Sequence, residues 1–250
     1  MPKTRVPSLK EDKPVKKMSR KITAILVLLF AALLAVIFFR SSISRITDIQ
    51  IQGEKYSTRE EVLDASGIRV GGQFFAVSEN GVEAALKKLN TVEEASVQKK
   101  FPGHVTITVQ EFPAVAYELD NGGALKAILS SGAAVDVGDS GIAVEKPILT
   151  NWKADDPNKV KLCKALAEIP GELTGDISEI VPSPTLSFPD RIKLYTRSHF
   201  EVITAVSLLK DKVEYLNQII ETEQPGLIKM LEADSYVPFP TDTENDNKEE

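Results

Sequence analysis

The first strong pattern along the chain is an uncharged apolar run of 18 residues from Ile22 to Phe39. As a helix it would span about 27 Å, close to the ~30 Å hydrocarbon thickness of a bilayer. A buried core helix is rarely apolar on every face over so many turns. A cleaved signal peptide has a shorter apolar region followed by small residues, whereas Arg40-Ser41-Ser42 follows this run. The pattern therefore predicts an uncleaved membrane-spanning helix over residues 22–40.

Strand-like alternation marks both ends of the segment from residue 45 to residue 113. Thr47, Ile49 and Ile51 alternate with polar neighbours, which predicts a half-buried strand that ends at Gly53. Further on, a Pro102-Gly103 turn predicts a hairpin between two more strands. The apolar positions of this hairpin are Ala95 and Val97 before the turn and Val105, Ile107 and Val109 after it.

Two helical patterns lie between these strands. Thr58-Arg59-Glu60-Glu61 has the spacing of a capping box and predicts a short helix that ends at Gly67. Ser78 can cap a second helix, whose apolar stripe consists of Val82, Ala85, Leu86 and Leu89. The segment is therefore predicted to form a three-stranded sheet covered by two helices, in the order β-α-α-β-β.

Beyond Ala114 the chain is rich in strand patterns and turn signals. The turn signals are Asn121-Gly122-Gly123, Ser130-Ser131-Gly132 and Gly138-Asp139-Ser140-Gly141. Asp156-Pro157 supplies an N-cap and a first-turn proline for a helix. The apolar positions of that helix are Val160, Cys163 and Leu166.

The last third of the chain adds two strand patterns and one amphipathic helix. Residues 192–195 and 200–202 predict a short strand pair, and Leu227 to Leu231 predict the last strand. The helix between them has its apolar positions at Leu209, Val213, Leu216 and Ile220. From Pro238 onwards the chain is polar and acidic, which predicts a disordered tail. The fold class is α+β.

Charge is distributed unevenly along the 250 residues, whose formal net charge is −6. Residues 1–21 hold eight basic and two acidic residues, a local net charge of +6, so the remaining chain carries −12. Basic residues before a membrane span predict a cytoplasmic N-terminus and an extracytoplasmic location for residues 41–250. The acidic balance argues against nucleic acid as a partner. Attraction to anionic lipids accounts for the basic tail, and a protein partner for it stays an alternative.

Candidate catalytic groups are few. Gly138-Asp139-Ser140-Gly141 is similar to the sequence around a chymotrypsin-like nucleophile, but the next residue is Ile142 and no suitable histidine context exists. The only histidines are His104 and His199, and the only cysteine is Cys163, on the apolar face of a predicted helix. These residues have no metal-ligand spacing, and no phosphate-binding glycine motif is present. We therefore expect no enzyme activity, no cofactor and no metal.

The residues from Ile46 to Glu118 resemble a POTRA module that directly follows a membrane span. The combination is similar to the bacterial divisome family called DivIB in Gram-positive bacteria and FtsQ elsewhere. The matching points are the first strand with Gly53, Gly71-Gly72 with Phe74-Phe75, Val92 with Ala95-x-Val97, the run from Phe101 to Ile107, and Glu111 with Pro113 and Ala116. Many family members have an arginine after this glutamate and one more residue before the proline, so Glu111-Phe112-Pro113 departs from the pattern.

The resemblance implies a domain order. It consists of a basic cytoplasmic tail (1–21), a transmembrane helix (22–40), a POTRA domain (45–113), a C-terminal β domain (114–237) and a disordered acidic tail (238–250). The β domain would be a mixed sheet with helices on one side, as in the second outer domain of the family. The protein would lie in the cell membrane as a single-pass protein enriched at the division septum.

The resemblance also implies a function by binding. The protein would be a non-enzymatic divisome scaffold that binds DivIC/FtsB-like and FtsL-like single-span coiled-coil proteins and links them to the septal peptidoglycan synthase. The partner-binding residues carried over to the end of the β domain are Ile228, Met230, Leu231, Tyr236 and Val237. A plain core role for Ile228, Met230 and Leu231 stays open. The POTRA surface from Ser78 to Glu111 would serve localisation within the division machinery.

Two other functions remain as alternatives. A membrane-anchored envelope hydrolase or peptidoglycan enzyme would depend on His199 or Cys163. A POTRA-bearing chaperone or secretion component would normally have several POTRA copies or a barrel, whereas this chain has one copy.

Overall fold

The structure is a computed structural model that describes residues 19–120, 122–137, 145–153 and 155–240. Most of the basic tail, the Gly138-Asp139-Ser140-Gly141 turn and the acidic residues after Pro240 lie outside the described residues. Within the described part, the order of elements is one long helix, a small α/β module and a large sheet with helices.

The first element, α1 (Arg20–Arg40), is long and apolar enough to cross a membrane. None of its residues is buried against the rest of the protein. At ~1.5 Å per residue its length is about 31 Å, which matches the hydrocarbon thickness of a bilayer. Among the described residues α1 is the one helix of this kind, which fits a single-pass membrane protein with its folded domains on the C-terminal side of the span.

The next module is a three-stranded sheet with two helices packed against it. Its elements are β1 (Asp48–Gln52), α2 (Arg59–Ser66), α3 (Glu79–Leu86), β2 (Val92–Lys100) and β3 (His104–Glu111). The strand order is β1-β3-β2, with β1 parallel to β3 and β2 antiparallel to it. Two short 3₁₀ helices, Ser42–Ser44 and Phe74–Ala76, precede β1 and α3. The predicted β-α-α-β-β order is confirmed.

Local signals of the sequence account for the helix boundaries in this module. Thr58 and Glu61 form the predicted capping box, in which each side chain accepts a hydrogen bond from the other residue's backbone N–H, at 3.2 and 2.8 Å. Gly67 ends α2 with a left-handed φ of 67°, which glycine adopts without a steric penalty. Ser78 caps α3 through the N–H of Gly81.

One carboxylate holds the loop before α2 against the end of β3. Glu111 accepts hydrogen bonds from the backbone N–H groups of Lys55, Tyr56 and Ser57, at 3.0, 2.6 and 2.7 Å. The carboxylate satisfies three backbone N–H donors of a loop that has no strand partner, and these donors in turn stabilise its charge. Glu111 therefore closes the module at the end of β3 opposite the hairpin.

The large sheet follows after two linking residues. Its first elements are β4 (Ala114–Leu119), β5 (Leu125–Leu129), β6 (Ala134–Asp136), β7 (Ile148–Leu149), α4 (Pro157–Glu168) and α5 (Gly171–Thr174). Its remaining elements are β8 (Ile177–Pro182), β9 (Arg191–Thr196), β10 (Glu201–Ala205), α6 (Val206–Thr222), β11 (Gly226–Met230) and β12 (Asp234–Pro238). The nine strands have the order β12-β11-β10-β9-β8-β7-β4-β5-β6 and include parallel and antiparallel pairs, so the predicted mixed sheet is confirmed.

Helices α4 and α6 cover the core of this sheet. Asp156 caps α4 through the N–H of Asn158, as its sequence pattern indicates. Cys163 and Leu166 are buried in the core. On α6 the predicted apolar positions Leu209, Val213 and Leu216 are buried, with Ile219 as a further buried residue and Ile220 only partly buried.

The prediction that residues 227–231 form the last strand was wrong. Strand β12 follows β11 and pairs with it antiparallel, from Asp234 against Met230 to Pro238 against Gly226. Pro238, predicted to begin the tail, is therefore the last residue of a strand. The sequence pattern missed β12 because an edge strand lies against one neighbour only, and four of its five residues are exposed.

Candidate functional site

The most distinctive feature of the large sheet is the edge formed by β12. This strand pairs with β11 on one side, and none of the described strands pairs with its other side. An unpaired strand edge presents a row of backbone N–H and C=O groups that another chain can bind. We call β12 with its unpaired side the free edge.

The register of β11 and β12 shows which backbone groups face outwards. The N–H of Phe239 donates to the carbonyl of Pro225 at 3.0 Å, so these two residues form a hydrogen-bonded pair just past the strand ends. Hydrogen-bonded and non-hydrogen-bonded pairs alternate along an antiparallel ladder. The backbone groups of Asp234 and Tyr236 therefore point towards the open side. Pro238 also faces that side, but it has no N–H and ends the row of donors.

Side chains hold the free edge in place at both of its ends. Lys212 on α6 donates to the carbonyl of Leu231 and to Oδ1 of Asp234, each at 2.6 Å. The hydroxyl of Tyr236 donates to the carbonyl of Gln224 at 2.6 Å, and its ring centroid lies 6.4 Å from that of Phe200. The strand is thus positioned by polar contacts and one ring contact, since it contributes no fully buried residue.

The start of β11 approaches β12 closely. An added Cβ at Gly226 would lie 2.4 Å from the carbonyl oxygen of Val237 and 2.8 Å from Cα of Pro238. These distances are far below van der Waals contact. Glycine at position 226 is therefore required for β12 to sit at this distance from β11.

The five residues predicted to bind a partner differ in their exposure and in their position in the structure. Ile228 and Met230 are completely buried in the core, where the carbonyl of Met230 accepts a hydrogen bond from Thr204 at 2.9 Å. Leu231 is half-buried in the turn before β12, Tyr236 is half-buried on β12, and Val237 is exposed to 59%. Tyr236 and Val237 lie on the free edge. Asp234 and Ser235 belong to it as well. The short exposed segment Glu232-Ala233 before them, which follows an apolar strand, is the sequence signal that could have indicated a further strand.

The sheet face opposite the helices continues from the free edge onto β9 and β10. Lys193 and Glu201 form an ion pair across these strands at 2.7 Å, and Lys193 lies 4.9 Å from the ring centroid of Tyr195. The hydrogen bond to Glu201, with a further one to Tyr195, raises the pKa of Lys193. This face is therefore charged, and it also carries the partly exposed apolar residues Ile203 and Leu227.

The candidate catalytic residues lie in unsuitable surroundings. Cys163 is completely buried in α4, and burial raises the pKa of its thiol to about 11, which disfavours the nucleophilic thiolate. His199 is exposed in the turn between β9 and β10, with a left-handed φ of 66°. His104 is an exposed residue 3.7 Å from Asp48. The Gly138-Asp139-Ser140-Gly141 turn lies outside the described residues.

The described residues bring few metal-ligating side chains together. Among the residues that the structure describes, no group of three or more His, Cys, Asp or Glu side chains could hold a metal ion. The described part of the chain therefore directs attention to the free edge rather than to a reactive centre.

Comparison with known proteins gives matches over the whole chain. The family model "POTRA domain, FtsQ-type" matches residues 44–112. The chain is similar to "Cell division protein DivIB" of Paenibacillus polymyxa (strain E681), with 56% identity over 100% of this chain and 98% of the relative. It is also similar to the proteins of the same name from Bacillus anthracis, with 30% identity over 93% and 88% of the two chains, and from Brevibacillus brevis, with 29% over 94% and 90%.

A solved structure is also similar to part of the chain. It is the major extracytoplasmic domain of the trans isomer of the cell division protein DivIB from Geobacillus stearothermophilus. The match has 26% identity, covers 44% of this chain and 92% of that chain, and has a TM-score of 0.38.

Proposed function

The chain belongs to the DivIB family of bacterial cell-division proteins, and from that premise we propose that it is a non-enzymatic scaffold of the divisome. Its membrane span anchors it, and its C-terminal domain binds small single-span coiled-coil proteins of the DivIC/FtsB and FtsL types. It holds these partners at the septum and links them to septal peptidoglycan synthesis.

The free edge is the observation that carries this proposal. The backbone groups of Asp234 and Tyr236 point away from β11, so an extended segment of a partner can add to the sheet as a tenth strand. Strand addition gives affinity through main-chain hydrogen bonds and specificity through alternate side chains. Val237 supplies an exposed apolar side chain on the same strand.

The way β12 is held supports the same role. A strand without fully buried residues has little intrinsic packing energy, so a partner strand on its open side would stabilise it from the second side. The proposed partner-binding residues are then Asp234, Tyr236, Val237 and the neighbouring Leu231. Ile228 and Met230 act indirectly, because they position β11 from within the core.

The environment of the candidate catalytic groups supports a role without catalysis. A nucleophilic cysteine needs a lowered pKa and access to substrate, whereas Cys163 is buried with a raised pKa. His199 is exposed in a strand turn, whereas Cys163 is completely buried in α4. The envelope hydrolase stays the second hypothesis, to be tested directly.

Topology and localisation complete the proposal. The basic residues before α1 favour a cytoplasmic N-terminus, and both folded domains would then lie outside the cytoplasmic membrane. The protein would concentrate at the division septum, with the POTRA surface between Ser78 and Glu111 contributing to that localisation. A fluorescent fusion that labels the whole cell outline evenly during division would contradict septal enrichment.

The decisive experiment changes the position of the free edge without substituting any of its own residues. The full-length protein in lipid nanodiscs is assayed for binding to the purified single-span coiled-coil partners of the same bacterium. In Gly226→Ala the new Cβ pushes β12 away from β11, and we expect the affinity to fall by about tenfold or more. Gly171→Ala is the matched control, because nothing lies within 4 Å of its added Cβ.

Hydrogen exchange of the unmodified complex provides a second readout that does not depend on a variant. Partner binding should slow amide exchange at Asp234 and Tyr236 more than at the exposed residues of β6. Unchanged exchange at these two amides in a saturated complex would overturn the proposed binding mode. Equal loss of affinity in both glycine variants would overturn it as well.

The hydrolase hypothesis makes a different prediction. Under that hypothesis, His199→Ala or Cys163→Ala abolishes cell division while the protein still folds. The scaffold proposal expects both variants to complement a depleted strain as well as the parent protein does.

A further inference from the structure

The membrane span and the POTRA domain are joined by a network of hydrogen bonds. The hydroxyl of Ser44 and the side-chain amide of Gln73 both donate to the carbonyl of Phe39 at the end of α1, at 2.8 and 3.1 Å. Backbone hydrogen bonds join Ile46 to Gly72 and Gly71 to Ile46, at 2.9 and 2.8 Å. The POTRA domain is thus held directly against the end of the span.

Four exposed phenylalanines surround this junction. Phe38 and Phe39 belong to the last turn of α1, Phe75 lies in the second 3₁₀ helix, and Phe101 lies at the tip of the β2–β3 hairpin. The ring centroid of Phe75 is 5.8 Å from those of both Phe38 and Phe39 and 6.0 Å from that of Phe101. All four are between 40% and 50% exposed. We call them the aromatic cluster.

Two parts of the POTRA domain fix the positions of Phe75 and Phe101. Phe74 is buried in the POTRA core, 5.3 Å from the ring of Phe75, so the 3₁₀ helix turns its second ring outwards. At the hairpin, the carbonyl of Gly103 accepts a hydrogen bond from Thr47 at 2.8 Å. An added Cβ at Gly103 would lie 2.5 Å from the carbonyl oxygen of Arg45. The hairpin tip with Phe101 therefore lies against the segment that leaves the membrane.

The segments around the aromatic cluster are basic, although the chain after residue 21 is strongly acidic. Residues 40–47, 67–77 and 98–104 contain no aspartate or glutamate. Their basic residues are Arg40, Arg45, Arg69, Lys99 and Lys100. Exposed apolar rings within a basic surface are typical of segments that bind the interface of an anionic bilayer.

We propose that the POTRA domain rests on the outer leaflet of the membrane, with Phe75 and Phe101 inserted at the boundary between headgroups and acyl chains. Arg40, Arg45, Arg69 and Lys100 then meet anionic phospholipid headgroups, whereas the ammonium group of Lys99 donates to the carbonyl of Val77 at 2.7 Å. The POTRA domain then contacts both the end of the span and the surface of the bilayer, and these two contacts define its orientation relative to the membrane. This goes beyond the scaffold proposal and holds whether or not that proposal is correct.

Continuity with the span is the reason to choose the bilayer as the occupant of this surface. Phe38 and Phe39 end a helix about as long as the hydrocarbon core is thick, so they lie at the outer boundary of the bilayer. Phe75 contacts both rings and therefore lies at the same depth. A protein partner would have to displace lipid from beside the span in order to cover the same rings.

Tryptophan scanning with lipid quenchers tests the proposal on the full-length protein. Phe75→Trp, Phe101→Trp and the control Tyr56→Trp are reconstituted into phosphatidylcholine–phosphatidylglycerol vesicles with and without brominated acyl chains. Tyr56 is a half-buried aromatic residue at the opposite end of β3, where its N–H bonds to Glu111. The emission of the natural Trp152, measured in the parent protein, is subtracted. Cooperative thermal unfolding shows that each variant is folded.

The expected result is selective quenching. We expect the tryptophans at positions 75 and 101 to lose about half of their emission, because interfacial residues lie roughly 5–10 Å into the headgroup–acyl boundary. The tryptophan at position 56 should lose almost none. Lys100→Glu combined with Arg69→Glu should reduce the quenching at position 101 only when phosphatidylglycerol is present.

Two results would overturn the proposal. If position 101 is not quenched, the hairpin does not touch the bilayer; a blue-shifted but unquenched emission there would indicate a protein, such as a second copy of the chain, in place of lipid. Equal quenching at positions 56 and 101 would show that the domain has no defined orientation on the membrane.

Discussion

The POTRA domain and the β domain each contain a glutamate whose carboxylate joins two parts of the domain. The groups that bind the carboxylate differ between the two domains. Glu111 at the end of β3 accepts hydrogen bonds from three backbone N–H groups. Glu118 lies on β4, the next strand along the chain, and pairs with Lys159 of α4. The distance from Nζ of Lys159 to Oε2 of Glu118 is 2.7 Å, and the side chain of Lys159 is only 5% exposed. The first arrangement fixes a loop, and the second attaches a helix to a sheet through a buried charge.

The edges of the two sheets differ as well. Edge strand β1 of the POTRA domain places Ile49 and Ile51 in the core, whereas edge strand β12 of the β domain places no residue fully inside. The POTRA sheet is thus stabilised up to its edges by its own core. The β domain ends in a strand held by few contacts, which is the arrangement that can accept a partner. Edge strands β1 and β12 thus differ in how firmly the core of their own domain holds them.

The largest expected effect comes from breaking the buried ion pair of the β domain. Glu118→Ala leaves the ammonium group of Lys159 buried without its partner, and we expect a loss of about 3 kcal/mol in the free energy of unfolding. Region-resolved hydrogen exchange of the full-length protein measures it. The double variant Glu118→Leu/Lys159→Met should recover most of the loss, and equal instability of the single and double variants would show that packing rather than charge is responsible.

The next effect tests the backbone clamp of the POTRA domain. Glu111→Ala removes the acceptor of three N–H groups, of which water can reach some, so we expect a loss of about 2 kcal/mol. Faster exchange should appear at Lys55, Tyr56 and Ser57 while the β domain stays unchanged. Glu93→Ala on exposed β2 serves as the control and should have no effect. If amide exchange became faster in both domains together, the effect of Glu111 would not be confined to the POTRA domain.

A matched pair of helix caps gives a smaller effect. Thr58 caps α2 in the POTRA domain and Asp156 caps α4 in the β domain. Thr58→Ala and Asp156→Ala should each cost about 1 kcal/mol, and each loss should be confined to its own domain in hydrogen exchange. Thr58→Ser should restore α2, and a Thr58→Ala effect that spreads into the β domain would indicate coupled unfolding.

The smallest effect depends on pH and concerns the β domain. Burial raises the pKa of Asp190, but hydrogen bonds from Ser207 at the start of α6 outweigh it and hold this pKa below its usual value. Because the folded pKa is the lower one, the stabilisation is complete above the ordinary carboxyl pKa of about 4 and is lost as the pH falls through the folded value. Amide exchange at the start of α6, corrected for intrinsic rates, should therefore become less protected in acid. Asp190→Asn should remove this dependence, and an identical pH profile in both proteins would contradict the assignment.

Local patterns were sufficient for most of the fold. The apolar run of α1, the capping box at Thr58, the glycine at position 67 and the alternation along β3 each act over a few residues, and the structure contains the corresponding elements. The helix caps and the apolar stripe of α6 belong to the same class. Such signals predict an element well because the element depends on neighbours in sequence.

The candidate site was predictable only in part. The resemblance directed attention to the end of the β domain, but it grouped buried Ile228 and Met230 with exposed Val237. Strand β12 was missed because its short, mostly polar sequence has no alternation of buried residues. Which residues of that region can bind a partner stays a prediction until the free edge is tested.

By itself, then, the sequence determined the span, the order of elements in the POTRA domain and the family, because these depend on periodicity and on short motifs. The tertiary structure alone decided that β12 is an edge strand, that Glu118 reaches Lys159 and that Glu111 reaches a loop more than 50 residues away. It also decided that four phenylalanines from three separate segments meet at the end of α1. The physical reason is that these outcomes depend on segments far apart in sequence. Even β12, which pairs with the adjacent β11, is an edge strand only because none of the other described strands pairs with its second side. A local sequence pattern does not indicate which strand lies at the edge of a sheet or which distant group pairs with a buried charge.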